Sequence, residues 1–444
     1  MTNDNTPLNR RTFVKVTGGA TAAGLVGLAG CSGGGDGGDG GSDGGGGGDG
    51  GSTGTTSGGS TGGTETSSEP ITIAATLPQT GAFSSLYEEM HIGYTLGVKA
   101  INGAGGINGR QVELVVKDDE SDPEKVRTQL QQIVSENDVQ MIWGSFSSLL
   151  ATAGSAFAEN QQLPFLAVAF ASEAPHLNNN YKWTFAPFPK SRDVAISCTE
   201  MLNALDSPPQ KIGLWELNSS WGAEQADAWE SHFKDAGYEI VMREKYSKGT
   251  SDFSSLISQS QSAGVEALFS NPIPPDGIAA VKQMKSSAWA PTLIHFVRAA
   301  DPQAWWSALG QDGAYVQMAP GWLPGMQGGG NQDLMSAYSN LSDKPTDVPL
   351  AMVGATYGLT QTAHQAMKAA GTADKNAVRE ALLSTTFDTT LGKFDFEDNG
   401  MPVEGQITAP IGQWWKGRQA LVHPQTDSQY SMATEYPIPA WGDR

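Results

Sequence analysis

The chain has 444 residues, of which 47 are Asp or Glu and 27 are Lys or Arg, so its formal net charge is −20. This balance excludes nucleic acid as a partner, because neutralising phosphates needs a basic face. It also disfavours direct adsorption to anionic lipid. The segment that follows residue 70 is long enough for about two domains.

Residues 1–30 have the order of a secretory signal peptide. Arg10 and Arg11 precede a short run of small and apolar residues over 16–28. That run is shorter than the ~20 residues that span a bilayer, so export is favoured over a permanent membrane helix. The arginine pair resembles a twin-arginine signal, which would carry the protein across the membrane already folded. The alternative is a stray basic pair.

Cys31 closes a Leu-Ala-Gly-Cys segment that resembles a lipobox, which predicts that Cys31 is lipidated and anchors the protein to the membrane. Residues 31–70 are then a linker made almost entirely of Gly, Ser, Thr and Asp, which predicts disorder because it has no large apolar side chain to bury. Together with the acidic charge and the twin-arginine signal, this linker resembles those of haloarchaeal secreted proteins. We therefore expect the fold to depend on high salt.

Strands and helices alternate in the body of the chain, which predicts an α/β fold with parallel sheets. In a first series, Asp122 is the expected cap of a helix that begins at Pro123. A second series follows from residue 211, so we expect two lobes with a ligand cleft between the carboxyl ends of their strands. The predicted strands are 71–77, 112–116, 139–143, 165–170, 211–215, 239–244, 267–270 and 292–296.

Motifs of nucleophilic, zinc-dependent and nucleotide-hydrolysing enzymes are missing from the sequence. The six histidines are scattered along the chain. We therefore predict a protein that is not an enzyme and that uses neither a cofactor nor a metal.

Three segments of the first half, residues 80–82, 100–109 and 118–123, resemble successive signatures of the leucine/isoleucine/valine-binding receptors. Residues 252–256 and 370–372 are similar to the second half of that family. The resemblance implies two Rossmann-like lobes with parallel central sheets and a hinge cleft, the type 1 periplasmic binding fold. The implied lobes are 71–190 with 318–405, and 191–317 with 406–444. It further implies a receptor on the extracellular face of the cytoplasmic membrane that delivers a solute to an ABC permease and its ATPases. The alternative is a ligand-sensing module that acts with a signalling partner.

Candidate ligand residues follow from the same resemblance. The turn that ends in Ser147 and Ser148 is similar to the one whose serine and amides hold a ligand carboxylate, although both serines could simply cap the next helix. Trp221 falls where an aromatic residue covers the ligand, or else it packs at a helix start. The remaining candidates are Leu86, Tyr87, Ala169, Phe170, Ser172 and Asn271.

The sequence departs from the family at residues 297 and 298, where amino-acid-binding relatives place an acidic residue for the ligand ammonium. Arg298 stands there instead, and its guanidinium suits a carboxylate. This predicts an anionic ligand if Arg298 lies in the cleft. The alternative is a surface arginine bound to Asp301, which would contribute little.

We expect a Cys31→Ser variant to be released from membranes, because the predicted anchor is the only hydrophobic attachment that the sequence offers after signal cleavage. To measure the release, membranes are washed with salt and sedimented, and the protein is immunodetected in the pellet and the supernatant. A variant that stays in the pellet would show that the anchor lies elsewhere.

Overall fold

The computed structural model describes residues 69–444, so the predicted signal peptide, Cys31 and almost all of the linker lie outside the described residues. Two lobes are built around separate sheets. The sheet of the first lobe is entirely parallel and has the strand order β2-β1-β3-β4-β5. Its strands are β1 (Ile71–Leu77), β2 (Val112–Asp118), β3 (Val139–Trp143), β4 (Phe165–Leu166) and β5 (Thr184–Phe185).

Helices connect the strands of the first lobe, and a helix from the late part of the chain also packs against this lobe. A short 3₁₀ helix, Ser84–Leu86, leads into the first of them. The early helices are α1 (Tyr87–Gly103), α2 (Pro123–Glu136), α3 (Ser148–Gln161) and α4 (Ala174–Asn178). The chain passes to the second lobe through α5 (Ser191–Asn203).

The second lobe has a seven-stranded sheet in the order β14-β13-β10-β9-β8-β6-β7. Its parallel part comprises β6 (Lys211–Leu217), β7 (Glu239–Tyr246), β8 (Ala267–Ser270), β9 (Leu293–Phe296) and β10 (Gln317–Met318). An antiparallel hairpin of β13 (Ile411–Trp415) and β14 (Arg418–His423) extends it. The helices are α6 (Ser220–Asp235), α7 (Ser254–Ala263), α8 (Pro274–Ser286) and α9 (Gln303–Leu309), with a 3₁₀ turn at Gly310–Gly313.

The remaining elements lie between β10 and β13 in the chain. They are α10 (Asn331–Ser339), α11 (Ala351–Ala370), α12 (Lys375–Ser384) and a hairpin of β11 (Phe387–Thr389) and β12 (Gly392–Phe394). None of the helices within residues 69–444 has the length and apolar character that crossing a membrane requires. The lobe boundaries expected from the sequence stay a prediction.

Local sequence signals account for the first-lobe elements. Asp122 caps α2 as expected, because its side chain accepts hydrogen bonds from the amides of Glu124 at 2.7 Å and Lys125 at 3.2 Å. The predicted strand at 165–170 is shorter in the structure, where β4 ends at Leu166. The backbone then leaves the sheet, and Ala169 takes a left-handed conformation with φ of 55°.

Helices α1 and α11 approach so closely that glycines are required between them. A Cβ on Gly93 would overlap Thr356, and a Cβ on Gly97 would overlap Thr360 Oγ1 and lie 2.5 Å from Thr360 Cβ. Thr356 and Thr360 donate their hydroxyls to backbone carbonyls of their own helix, so their positions are fixed. The contact attaches a helix from the late part of the chain to the first lobe.

We expect Gly97→Ala to lower the free energy of unfolding by about 1–3 kcal/mol, because the added methyl group has no space against α11. Denaturant unfolding in molar salt measures the loss. Gly103→Ala is the control, since a Cβ there meets no atom within 4 Å, and alanine should stabilise the helix by up to about 1 kcal/mol. Equal stabilities for the two variants would contradict the close approach.

Candidate functional site

A cavity of about 550 Å³ lies between the two lobes. The first lobe contributes the chain that follows β3 and β4, including Phe146, Ser147, Ser148, Ala169 and Ser172. The second lobe contributes the turns after β6, β7, β8 and β9, through residues that include Ser219, Trp221, Lys248, Ile273 and Arg298. Six of the ten residues predicted from the sequence therefore line one cavity: Ser147, Ser148, Ala169, Ser172, Trp221 and Arg298.

The start of α3 faces this cavity. Ser147 is the N-cap residue, but its side chain makes no capping hydrogen bond, so the first turn of α3 has no side-chain acceptor for its amides. Ser148 is buried, and its Oγ accepts a hydrogen bond of 3.3 Å from the amide of Ser172. The alternative in which Ser147 serves as a side-chain cap is therefore not what the structure shows.

Trp221 lies opposite, in the first turn of α6. Here the N-cap residue is used, since Ser219 Oγ accepts from the amide of Gly222 at 2.9 Å. The indole Nε1 of Trp221 is buried and has no hydrogen-bond partner among residues 69–444. A buried donor without a partner costs free energy, so an acceptor supplied by a ligand would satisfy it.

The backbone after β4 brings Ala169 and Ser172 to the cavity and turns Phe170 away from it. Phe170 is fully buried, with its ring 5.1 Å from the His176 ring and 4.9 Å from Lys190 Nζ. Its carbonyl accepts from Lys190 Nζ at 2.8 Å. Burial lowers the pKa of Lys190 to about 7. The side chain of Phe170 therefore packs against His176 and Lys190, away from the cavity.

Leu86, Tyr87 and Asn271 also lie outside the cavity lining. Leu86 is buried in the core, and Tyr87 stacks on His91 at 5.4 Å. Asn271 ties the strand β6 to the start of α6, because its Oδ1 accepts from the amide of Leu217 at 2.8 Å and its Nδ2 donates to the carbonyl of Gly222 at 3.1 Å. A ligand contact by any of the three, or by Phe170, stays a prediction.

Arg298 is paired with Asp301, as one alternative from the sequence had it, but it lies buried at the cleft and not on the surface. It lines the cavity and is only 5% exposed, and its Nη2 lies 2.8 Å from Oδ2 of Asp301. The guanidinium carbon lies 5.2 Å from the Phe146 ring and 5.3 Å from the Phe188 ring. Burial lowers the pKa of Arg298 and raises that of Asp301 to about 7, and the Arg298 charge opposes the rise at Asp301. The arginine is therefore in the cleft, but it already has a counter-ion.

A family model for periplasmic binding proteins matches residues 70–414. This chain belongs to the periplasmic binding protein family. Among curated relatives, a Leu/Ile/Val-binding protein homologue of Brucella melitensis is 29% identical over 242 residues, which are 52% of this chain and 59% of the relative. The match thus spans less than two thirds of that relative.

Solved structures of this family share the fold of this binding protein at low identity. A branched-chain amino acid transporter substrate-binding protein of Streptococcus pneumoniae, in complex with isoleucine, has a TM-score of 0.68 and 17% identity, covering 79% of this chain and 97% of that one. A solute-binding protein of an ABC transporter from R. palustris, in complex with benzoate, has a TM-score of 0.69 and 16% identity, covering 82% and 99%. At such identities the likeness establishes the α/β two-lobed fold of substrate-binding proteins, which are not enzymes.

An interlobe clasp joins the two sides of the cleft in this binding protein. Glu224, on α6 of the second lobe, accepts hydrogen bonds from Ser172 Oγ at 2.8 Å and from the amides of Glu173 at 2.8 Å and Ala174 at 3.3 Å. Ser191 Oγ, where the chain enters α5, donates to the same carboxylate at 2.9 Å. The clasp therefore holds the chain after β4 against α6 and lies beside the cavity.

Sequence reasoning missed several residues that line the cavity, above all Phe83 and Lys248. Lys248 follows β7 and lies with its Nζ 5.0 Å from the centre of the Phe83 ring, so it reaches across the cleft. Its one signal in the sequence is its position shortly after a predicted strand, at the edge where the cleft forms. Within residues 69–444 there is no cluster of three or more His, Cys, Asp or Glu side chains that could hold a metal ion.

We expect Asp301→Asn to lower the free energy of unfolding by about 3–5 kcal/mol, because it leaves the buried charge of Arg298 without a counter-ion. Urea unfolding in molar salt measures the change. The double variant Arg298→Met with Asp301→Leu should recover part of the loss, since it removes both charges. An Asp301→Asn protein as stable as the parent would mean that the pair does not stabilise the cleft.

Proposed function

We propose that this chain is an extracellular solute-binding receptor of an ABC importer, which captures a small organic ligand between its lobes and delivers it to the permease. The observation that carries the proposal is the cavity of about 550 Å³ lined from both lobes. Its volume lies in the range of small-molecule sites, and apolar rings with a few polar groups line it, as is usual for such sites. The family membership supports the same function.

The position of the cavity supports capture by closure of the lobes. Residues from both sheets would surround a ligand, so binding at the cavity favours the closed arrangement over an open one. The proposed lobes are residues 71–190 with 318–405 and residues 191–317 with 406–444, and the crossings between them would be the hinge. Attachment through Cys31, on the outer face of the cytoplasmic membrane, would keep the receptor near its permease and ATPases.

The relatives indicate which ligand classes to test first. The Streptococcus pneumoniae protein was solved with isoleucine and the R. palustris protein with benzoate, so amino acids and aromatic acids both occur in this fold. For this chain the candidates are an amino acid, an amide or a carboxylic acid.

We expect a thermal-shift screen of the protein in molar salt to find a stabilising compound among amino acids, amides, and aliphatic and aromatic acids. A ligand at roughly 100 times its Kd adds about 2.7 kcal/mol to the stability of the folded state. Ala174→Trp is the control, because Ala174 lines the cavity and an indole there occupies the ligand space.

A compound that stabilises the parent but not Ala174→Trp would support binding in the cleft. Uptake of that compound by cells with and without the protein then tests delivery to an importer. The receptor function would be wrong if no compound of any class stabilised the parent, or if uptake did not depend on the protein.

A further inference from the structure

The charges that line the cavity have one sign. Among the described residues that line it there is no Asp and no Glu, whereas Arg127, Lys248 and Arg298 are present. An α-amino acid brings both a carboxylate and an ammonium group. Its ammonium group would lose water on entering and find no carboxylate in the lining, which is costly for a charged group.

Two of the three cations already have counter-ions. Arg298 is paired with Asp301 beneath the cavity, and Arg127 is paired with Glu124 on its own helix. Lys248 is exposed, and its side chain forms no hydrogen bond or ion pair with any residue in the described part of the chain. The Lys248 ammonium lies over the Phe83 ring. Its charge also interacts electrostatically with the buried Asp276, whose Oδ2 accepts a hydrogen bond from the amide of Gly249 at 3.0 Å. Lys248 is therefore free to pair with a ligand.

Donors without acceptors accompany this lysine. The indole Nε1 of Trp221 is buried and unpaired within residues 69–444, and the first turn of α3 has no side-chain cap. The start of a helix also carries partial positive charge, which favours an anion. The described lining thus contains no carboxylate to neutralise a cation, and it offers donors from both lobes to an oxygen atom.

Glu224 is a further carboxylate beside this lining, because its hydrogen-bond partner Ser172 lines the cavity. It is not available to an ammonium group, because the four donors of the interlobe clasp already occupy its two oxygens. Receiving a ligand cation would require the loss of contacts that join the lobes.

Aromatic rings form a further part of the wall. Phe83, Phe146, Phe188 and Trp221 all line the cavity, and Phe83 and Phe146 meet edge to face at 5.3 Å. Rings in this arrangement favour a flat or branched apolar group.

We propose that the ligand is an organic carboxylate with an apolar body and no ammonium group, and that Lys248 is its counter-charge. This inference rests on the proposed receptor function and specifies its substrate class. The carboxylate lies between Lys248 of the second lobe and the start of α3 in the first lobe, and its apolar body lies against the four rings.

Matched pairs of compounds test the ligand class. Isocaproate is leucine without its amino group, and hydrocinnamate is phenylalanine without its amino group, so each pair differs only in the ammonium. We expect calorimetric titration of the full chain in molar salt to give at least about tenfold tighter binding for the acid of the better-binding pair. Hydrocinnamamide, which lacks the negative charge, should bind more weakly than hydrocinnamate.

Variants of Lys248 test the residue. Lys248→Gln should weaken binding of the preferred acid by about tenfold or more, and Lys248→Glu should abolish it, whereas affinity for the neutral amide should be unchanged. Lys282→Gln is the matched control, since Lys282 is exposed on α8 of the same lobe and does not line the cavity. Circular dichroism and the melting temperature establish that each variant is folded.

The outcomes separate this inference from the function on which it rests. Tighter binding of leucine or phenylalanine than of the matching acid overturns the carboxylate proposal and leaves the receptor function standing. An acid that binds equally well to the parent and to Lys248→Gln overturns the role of Lys248. If no member of any class binds, the receptor function is wrong and this inference with it.

Discussion

The cavity depends on one constraint of parallel sheets, which is that all strands end at the same edge. Each strand-to-helix turn must then lie at that edge, and two sheets that present these edges to each other enclose a space between them. Each of the parallel strands β1 to β9 is followed by a residue that lines the cavity. The contributing residues are Phe83 after β1, Pro123 after β2, Ser148 after β3, Ser172 after β4, Phe188 after β5, Trp221 after β6, Lys248 after β7, Ile273 after β8 and Arg298 after β9.

The same constraint explains why a chain with a net charge of −20 encloses a cavity without carboxylates in its described lining. Helix starts bring amide donors, and acidic side chains near them would be drawn into capping, as Glu224 is in the interlobe clasp. The carboxylate of Asp301, which neutralises Arg298 below the cavity, is buried. The excess acidic charge is therefore left to the outside of the molecule, where salt at about 1 M would screen it over about 3 Å.

The sequence predicted the elements whose faces differ clearly in polarity or whose ends carry a distinct cap. Asp122 with Pro123 defined the start of α2, and the apolar run at 139–143 is β3. Helix α11 was not delimited, because nearly all of its faces are buried and it shows little periodicity to read. The strand expected at 165–170 ends at Leu166, and Ala169 takes a left-handed conformation that an alanine in an apolar run does not signal.

From the sequence, residues of the candidate site could be predicted only in segments that follow predicted strands. The resemblance to the leucine/isoleucine/valine-binding receptors implied Ser148, Ser172 and Trp221, and all three line the cavity. Phe170 and Asn271 occupy equivalent positions in sequence but turn inward, and a single sequence carries no information on that rotation. Lys248 could not be told from an ordinary surface lysine, since its significance depends on the Phe83 ring of the facing lobe.

The interlobe clasp also bears on where a ligand carboxylate can bind. The starts of α3 and α4 both line the cavity, as does Pro123 at the start of α2. The amides of Glu173 and Ala174, at the start of α4, donate to Glu224, a carboxylate of the protein itself. The start of α3 has no side-chain cap, and it lines the same cavity as Trp221, whose indole Nε1 is unpaired within residues 69–444, and Lys248. The protein's own carboxylate thus occupies the amides at the start of α4, and the proposed ligand carboxylate would bind at the start of α3, where Glu224 does not compete with it.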